Sequence, residues 1–383
     1  MTEIRVDTIV DAAGTGAPDF STAPTVGGVA LGSLATSSFT SSGTEPSSPS
    51  DGAVWWDTTN SELKIYANSG WQTVTLGALP PQSYYGDRAV VFGARYNGSY
   101  YGRRIQYFDI TTTGNASSFG LDLYSRSANG EMACAGGSRA LMWQGNDVGN
   151  WLDTISYIET TTTGNATQFG TTPNSRYEGA ACSDGTYGMA CDGYGSSGPP
   201  YNQSTIDYVT IATTGNAQTF GQDIRSRTRC TATSDGTYGY IIFDGSGSTS
   251  QSLSKFTFGT SGNASNPGYS GGSFSGNYWG SMSGDESYAI HAGGRGGSNP
   301  TQSMYRWTWG TSANCSYMGN VLPTARQNHS STTNGSRWCI IGGRNTDEIL
   351  YIDLYSGSST SDFGDLMESG HNFYVSATSG PAS

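Results

Sequence analysis

One phrase recurs six times along this chain, and a phrase that returns at a regular spacing means a fold assembled by repeating one small unit. Its clearest copies are residues 110–120, 160–170 and 211–221, each carrying Thr-Thr-Gly-Asn-Ala and closing on Phe-Gly; weaker echoes lie at 258–264, 309–315 and 354–364. Taking Gly114, Gly164, Gly215, Gly262, Ala313 and Ser358 as equivalent gives steps of 50, 51, 47, 51 and 45 residues. That length accommodates four short antiparallel strands and their turns, the content of one propeller blade.

Each unit reads in the same way, as short apolar stretches rich in β-branched and aromatic residues between Gly, Asn, Asp and Ser turns. Residues 228–233 lead through the turn Ser234–Gly239 into 240–243, while 205–211 and 216–222 supply the third and fourth strands of the unit before. The first unit opens at 85–92, which matches a second strand and has no first strand before it; the stretch 369–380, beyond the last phrase, matches the missing one. Pairing the two would leave no open sheet edge at the seam. The expected fold is therefore all-β, a six-bladed β-propeller over residues 80–383 closed by a C-terminal strand.

The first 79 residues are built differently. Residues 1–40 form a Gly-rich stretch too polar to bury a core, expected to be an extended attachment arm through Ile4, Val6 and Ile9. Residues 41–79 read as a three-stranded meander with turns at Asn60-Ser61 and Asn68–Gly70. So small a sheet is marginal alone. Three copies about an axis would bury Trp55, Trp56 and Trp71, which predicts a homotrimer; the alternative is that these rings fill a core within one chain.

Charge and composition remove several functions. With 30 Asp and Glu against 18 Lys and Arg, the net charge of −12 argues against nucleic acid, which needs a basic patch. No apolar run of 18 residues exists, so no membrane insertion is expected, and the N-terminus lacks a secretory core. Cysteines 134, 182, 191, 230, 315 and 339 have no metal-like or paired spacing and are expected as buried free thiols, and no metal or cofactor is expected. The acids fall mainly in turns and surface strands with no convergent pair, and His291, His329 and His371 fall in different units, so no enzyme is expected; a glycosidase, which needs two acids across one bond, is the weakest alternative.

The loops between second and third strands emerge opposite the Thr-Thr-Gly-Asn turns and vary most between units. Tyr96, Tyr100, Tyr101, Trp151, Tyr194 and Tyr201 fall in these loops and should gather over three adjacent units. Exposed aromatic rings amid Asn, Ser and Gly suit the apolar faces and hydroxyls of a glycan. Arg126, Arg176, Arg227 and Arg326 recur where inner strands begin. They could hold a carboxylate, but a structural role tying adjacent units is favoured.

The units resemble the kelch repeat in residues 323–329, followed by 337–343 with its Gly342-Gly343 pair, and in Gly293-Gly294; elsewhere the double glycine is missing. That resemblance bears on fold alone. The opening Ile4–Ile9 with 12–18 resembles the start of structural proteins of tailed phages, including marine and cyanobacterial ones, and 51–71 resembles a small module of phage fibres. The resemblance implies a virion protein that folds in the host cytoplasm and is released by lysis. Its expected role is a tail fibre, attached to other tail proteins by its N-terminus, whose head binds a host-surface glycan or protein. The alternative is a structural capsid decoration or tail collar protein.

Overall fold

The structure is a computed structural model of the 383-residue chain. It describes residues 25–26, 29–30, 39–60, 62–67, 69–73, 84–93, 95–96, 100–101, 103–124, 132–147, 150–195, 202–242, 253–267, 277–296, 299–309, 315–344, 346–367 and 375–382. These residues are all-β with no helix, and they fall into two compact units, Met1–Pro80 and Pro81–Ser383.

In the first unit, Val54–Asp57, Glu62–Ala67 and Gly70–Thr73 form the expected antiparallel meander. The three-strand expectation needs correction, because Phe39–Ser42 adds a parallel strand beside Val54–Asp57 and so crosses the boundary drawn at residue 40. The Trp55 indole donates to the Ser42 carbonyl at 2.9 Å, which fixes that added edge. Asp57 organises the first turn, accepting from the amides of Thr59 and Asn60, the Asn60 side chain and Lys64 Nζ at 2.9–3.2 Å. Trp55 is buried and meets Trp71 edge-on at 5.4 Å, with Lys64 over its ring, whereas Trp56 points to the other face and is exposed. Ile4, Val6 and Ile9 lie outside the described residues.

Among the described residues the second unit contains eight sheets, two of them small: Arg95–Tyr96 with Tyr100–Tyr101, and Asn277–Tyr278 with Arg295–Gly296 and Asn299–Pro300. The other six each present an innermost strand, namely Ser376–Gly380, Ala133–Gly136, Ala180–Ser183, Thr231–Ser234, Ser281–Gly284 and Ser330–Thr333. Each contacts the next in that order, and Ser330–Thr333 also contacts Ser376–Gly380. Almost every residue in them is buried, which explains why, Met282 apart, they carry Ala, Ser, Thr, Cys and Gly: neighbours press on both faces and leave little room for larger side chains. Together they line a cavity of about 60 Å³. Outward from each of them except Ser376–Gly380, the chain turns back through Asp-Gly or its equivalent. Asp184, Asp235 and Asp285 each accept two backbone amides across this turn, and Asn334 does the same.

The C-terminal strand Ser376–Gly380 pairs antiparallel with Arg88–Phe92, in the register Ser376↔Phe92 to Gly380↔Arg88. Arg88–Phe92 continues outward to Arg104–Asp109 and Ser117–Leu121. One sheet is thus made from both ends of this unit.

The recurring phrase proves to be a joint as well as a turn. The side-chain oxygens of Asn115, Asn165, Asn216 and Asn263 accept the amides of Asp365, Leu121, Thr171 and Gln222 in the neighbouring sheet, each at 3.0 Å. The following alanines, Ala116, Ala166, Ala217 and Ala264, donate back to the same four residues at 2.8 Å. The glycine of each Phe-Gly is required by this approach: a Cβ on Gly120, Gly170 or Gly221 would lie 2.0–2.1 Å from the carbonyl oxygen of Gly164, Gly215 or Gly262. Arginines brace the same joints. Arg139 donates to Ile211 and Ala212 carbonyls and Arg337 to those of Ile110 and Thr111, each guanidinium also lying over a tyrosine, Tyr157 or Tyr351.

Candidate functional site

Antiparallel order sorts the connections between two ends. The Asp-Gly turns and the phrases share one end, while the second loops and the entries into the inner strands share the other. At the turn end, Tyr84 and Tyr85 line the cavity, packed edge-on at 4.9 Å, with the Tyr85 hydroxyl donating to Glu286 at 2.7 Å. Burial pushes both phenols above their ordinary range. The loop end carries Trp151 and Tyr194, two of the residues that sequence singled out.

Two of the six candidate aromatics meet there across adjacent sheets. Trp151, in the strand Asn150–Glu159, stacks on Tyr194, in Tyr187–Gly195, with centroids 5.6 Å apart and planes 22° from parallel. Tyr177 completes the cluster, 4.8 Å from Trp151 and 5.6 Å from Tyr194. All three are half-buried, so their rings are held by packing yet reach solvent. Tyr177 was missed because it lies in a connection rather than a second loop; its position beside Arg176, a member of the arginine series, was the available signal. Backbone pairing brings Tyr96 opposite Tyr100 and Arg95 opposite Tyr101 in a short hairpin, whose side chains lie outside the described residues, as does Tyr201.

Next to this cluster lies a series of strained entry residues. Glu178, Arg229, Trp279 and Asn328 each stand two residues before an inner strand and adopt left-handed backbone, with φ of 58°, 63°, 66° and 56°. For residues other than glycine this costs about 1–3 kcal/mol each, and such strain concentrates where a protein works. The Arg229 amide donates to the Glu178 carbonyl at 2.6 Å and the Asn328 amide to that of Trp279 at 2.9 Å. Side chains continue the linkage: Arg229 Nε pairs with Glu178 Oε2 at 3.2 Å, and the guanidinium groups of Arg229 and Arg295 lie 4.4 and 5.7 Å from the Trp279 ring centroid.

The arginine series itself divides differently from expectation. Arg176 is buried and pairs with Asp207 at 2.6 Å while donating to the Thr205 and Ala190 carbonyls; Arg326 is buried against Glu348 and the Gly342 carbonyl. These bonds tie strands within their own sheet rather than adjacent units, because the side chain folds back over the second strand. Burial pushes Asp207 upward and Arg176 opposes that push. Arg126 lies outside the described residues.

Two other groupings correct the sequence reading, since residues far apart in sequence meet both within a sheet and between sheets. Asp192 and Asp223 do converge, buried side by side. Burial, followed by the charge of Asp223, raises Asp192 well above the carboxylate range, and burial also raises Asp223. Above the ordinary aspartate pKa of about 3.9 the unfolded chain releases this proton while folded Asp192 keeps it, so the group's contribution declines as pH rises. Asp192→Asn is accordingly expected to raise the thermal midpoint at about pH 8 and to lose that advantage towards about pH 4. Melting curves across this range check it; a difference independent of pH would contradict proton linkage. His291 and His329, from different units, are likewise buried as neighbours, and burial lowers both to about 3, leaving them neutral. Among the described residues no group of His, Cys, Asp or Glu is arranged to hold a metal, and the six cysteines are free, five of them buried and Cys315 half-buried.

No protein-family model matches the sequence, and no curated protein matches it.

Proposed function

We propose that this protein is a tail fibre of a tailed phage, attached to the particle through its N-terminal unit, and that its C-terminal unit binds a glycan on the host surface. The observation that carries the reading is the Trp151–Tyr177–Tyr194 cluster, three half-buried rings at the loop end of two adjacent sheets. Rigid aromatic faces of this kind cover the C–H face of a sugar with little loss of side-chain entropy. We read the C-terminal unit as a six-bladed propeller. The neighbour order of the six inner strands supports this, together with the sheet shared by Ser376–Gly380 and Arg88–Phe92. Exposed Trp56, on the outer face of the N-terminal sheet, supports self-association there, in our reading as a homotrimer.

Adsorption competition tests the reading. Full-length protein added to susceptible cells before phage is expected to block adsorption, and the variant carrying Trp151→Ala with Tyr194→Ala is expected to need about tenfold more protein for the same block, the loss of roughly 1.4 kcal/mol of stacking. Failure of the intact protein to block at any concentration would favour the structural virion role.

A further inference from the structure

We infer that the ligand of the loop end is an anionic glycan, its acid group received by Arg229 and Arg295 over Trp279. This inference rests on the glycan-binding reading and adds the chemical class of the sugar. The cluster and the arginines form one continuous track. Trp151 stacks on Tyr194, both touch Tyr177, Tyr177 is followed by Glu178, Glu178 pairs with Arg229, and Arg229 and Arg295 cover Trp279. An extended saccharide lying on the aromatic end would place a later residue within reach of the cationic end.

Three observations make the cationic end a binding feature. First, two basic residues from different segments, Arg229 and Arg295, share the Trp279 ring in a chain with only 18 Lys and Arg in 383 residues. Second, the Arg229 side chain is 40% exposed although its Glu178 partner is buried. Planar guanidinium groups match carboxylate and phosphate oxygens in pairs, and an indole beneath them fixes their plane. Third, the next entry residue keeps polar capacity in reserve. Asn328 is 6% exposed and Gln327 3%, yet Asn328 Nδ2 and Gln327 Oε1 have no hydrogen-bond partner among the described residues, an arrangement that costs stability unless a ligand or solvent completes it. Strained backbone at Glu178, Arg229, Trp279 and Asn328 holds these groups at one level of the fold.

The test uses full-length protein and purified envelope polysaccharide from cells that adsorb it. The polysaccharide is presented in three forms: native, with carboxylates reduced to alcohols, and with phosphate esters removed. Native polymer is expected to bind, and one of the two treatments is expected to weaken binding about tenfold or more, identifying carboxylate or phosphate as the anion. Arg295→Gln, which leaves the Arg229–Glu178 pair intact, should weaken binding to native polymer and leave binding to the neutralised polymer unchanged; Arg229→Gln should do the same if it folds. Trp151→Ala should weaken both. Equal binding to all three forms, or equal loss of native and neutralised polymer in Arg295→Gln, would overturn the acidic-ligand inference while the glycan reading stood. No binding to native polymer by the intact protein would overturn both.

Discussion

Removing residues 375–383 is expected to abolish the soluble fold of the C-terminal unit. All five residues of Ser376–Gly380 are buried, and each faces a residue of Arg88–Phe92. The strand also stitches three sheets together: Ser376 Oγ accepts the Met132 amide at 3.1 Å, the Ala377 amide donates to Ser330 Oγ at 2.8 Å, and Thr160 Oγ1 donates to the Pro381 carbonyl at 2.9 Å. At about 1 kcal/mol net for each bond, losing this set removes on the order of 5 kcal/mol, comparable to the whole stability of many domains. The deletion would further expose the edge of Arg88–Phe92, four of whose residues are wholly buried apolar side chains, as a template for aggregation. Soluble yield and protease resistance measure the effect, and a synthetic peptide of residues 375–383 added during refolding should restore both. A truncated chain that melts at the temperature of the intact one would remove the C-terminal strand from the architecture.

Arg176→Ala is expected to destabilise the protein by about 3–5 kcal/mol, because it leaves Asp207 buried without its counter-ion. Both side chains are sealed, at 1% and 0% exposure, and their 2.6 Å separation is that of a charge-assisted bond. The Thr205 and Ala190 carbonyls would also lose a donor. Replacing both members, as in Arg176→Met with Asp207→Leu, should recover most of the loss, since an apolar pair of similar volume incurs no desolvation cost. Urea midpoints for the wild type, two single variants and the double variant form the required cycle. Near-additive losses would mean that the pair contributes no mutual stabilisation.

The repeating phrase and the Asp-Gly turns made the strands legible because both are local: a tight turn and a strand edge are written in four to ten adjacent residues. The short inner strands were legible by their equivalence from unit to unit. What sequence could not supply was the partner of each polar group across a strand or sheet boundary. Asn165 reads as a turn residue, yet its amide oxygen holds Leu121, 44 positions away. Arg176 and Asp207, or Asp192 and Asp223, are ordinary residues until the fold brings them together. The same limit governed the site. Trp151 and Tyr194 were legible as loop aromatics, whereas Tyr177, Arg229 and Trp279 sit between the outer strand of one sheet and the inner strand of the next, and only backbone geometry reveals that Arg229 and Trp279 are equivalent to Glu178 and Asn328. The parallel strand Phe39–Ser42 was missed for a related reason, since parallel pairing leaves no hairpin turn to read.

The construction of the joints bears on how such a chain can change. A unit carrying the full phrase contributes an asparagine and a glycine towards one neighbour and a Phe-Gly edge towards the other, so both halves of the contact travel within a single segment of about 50 residues. A segment copied within the gene arrives already matched to the copies on either side. Loops at the opposite end take no part in that contact and are free to diverge, so new binding surfaces can be tried by recombination without redesigning the frame that presents them.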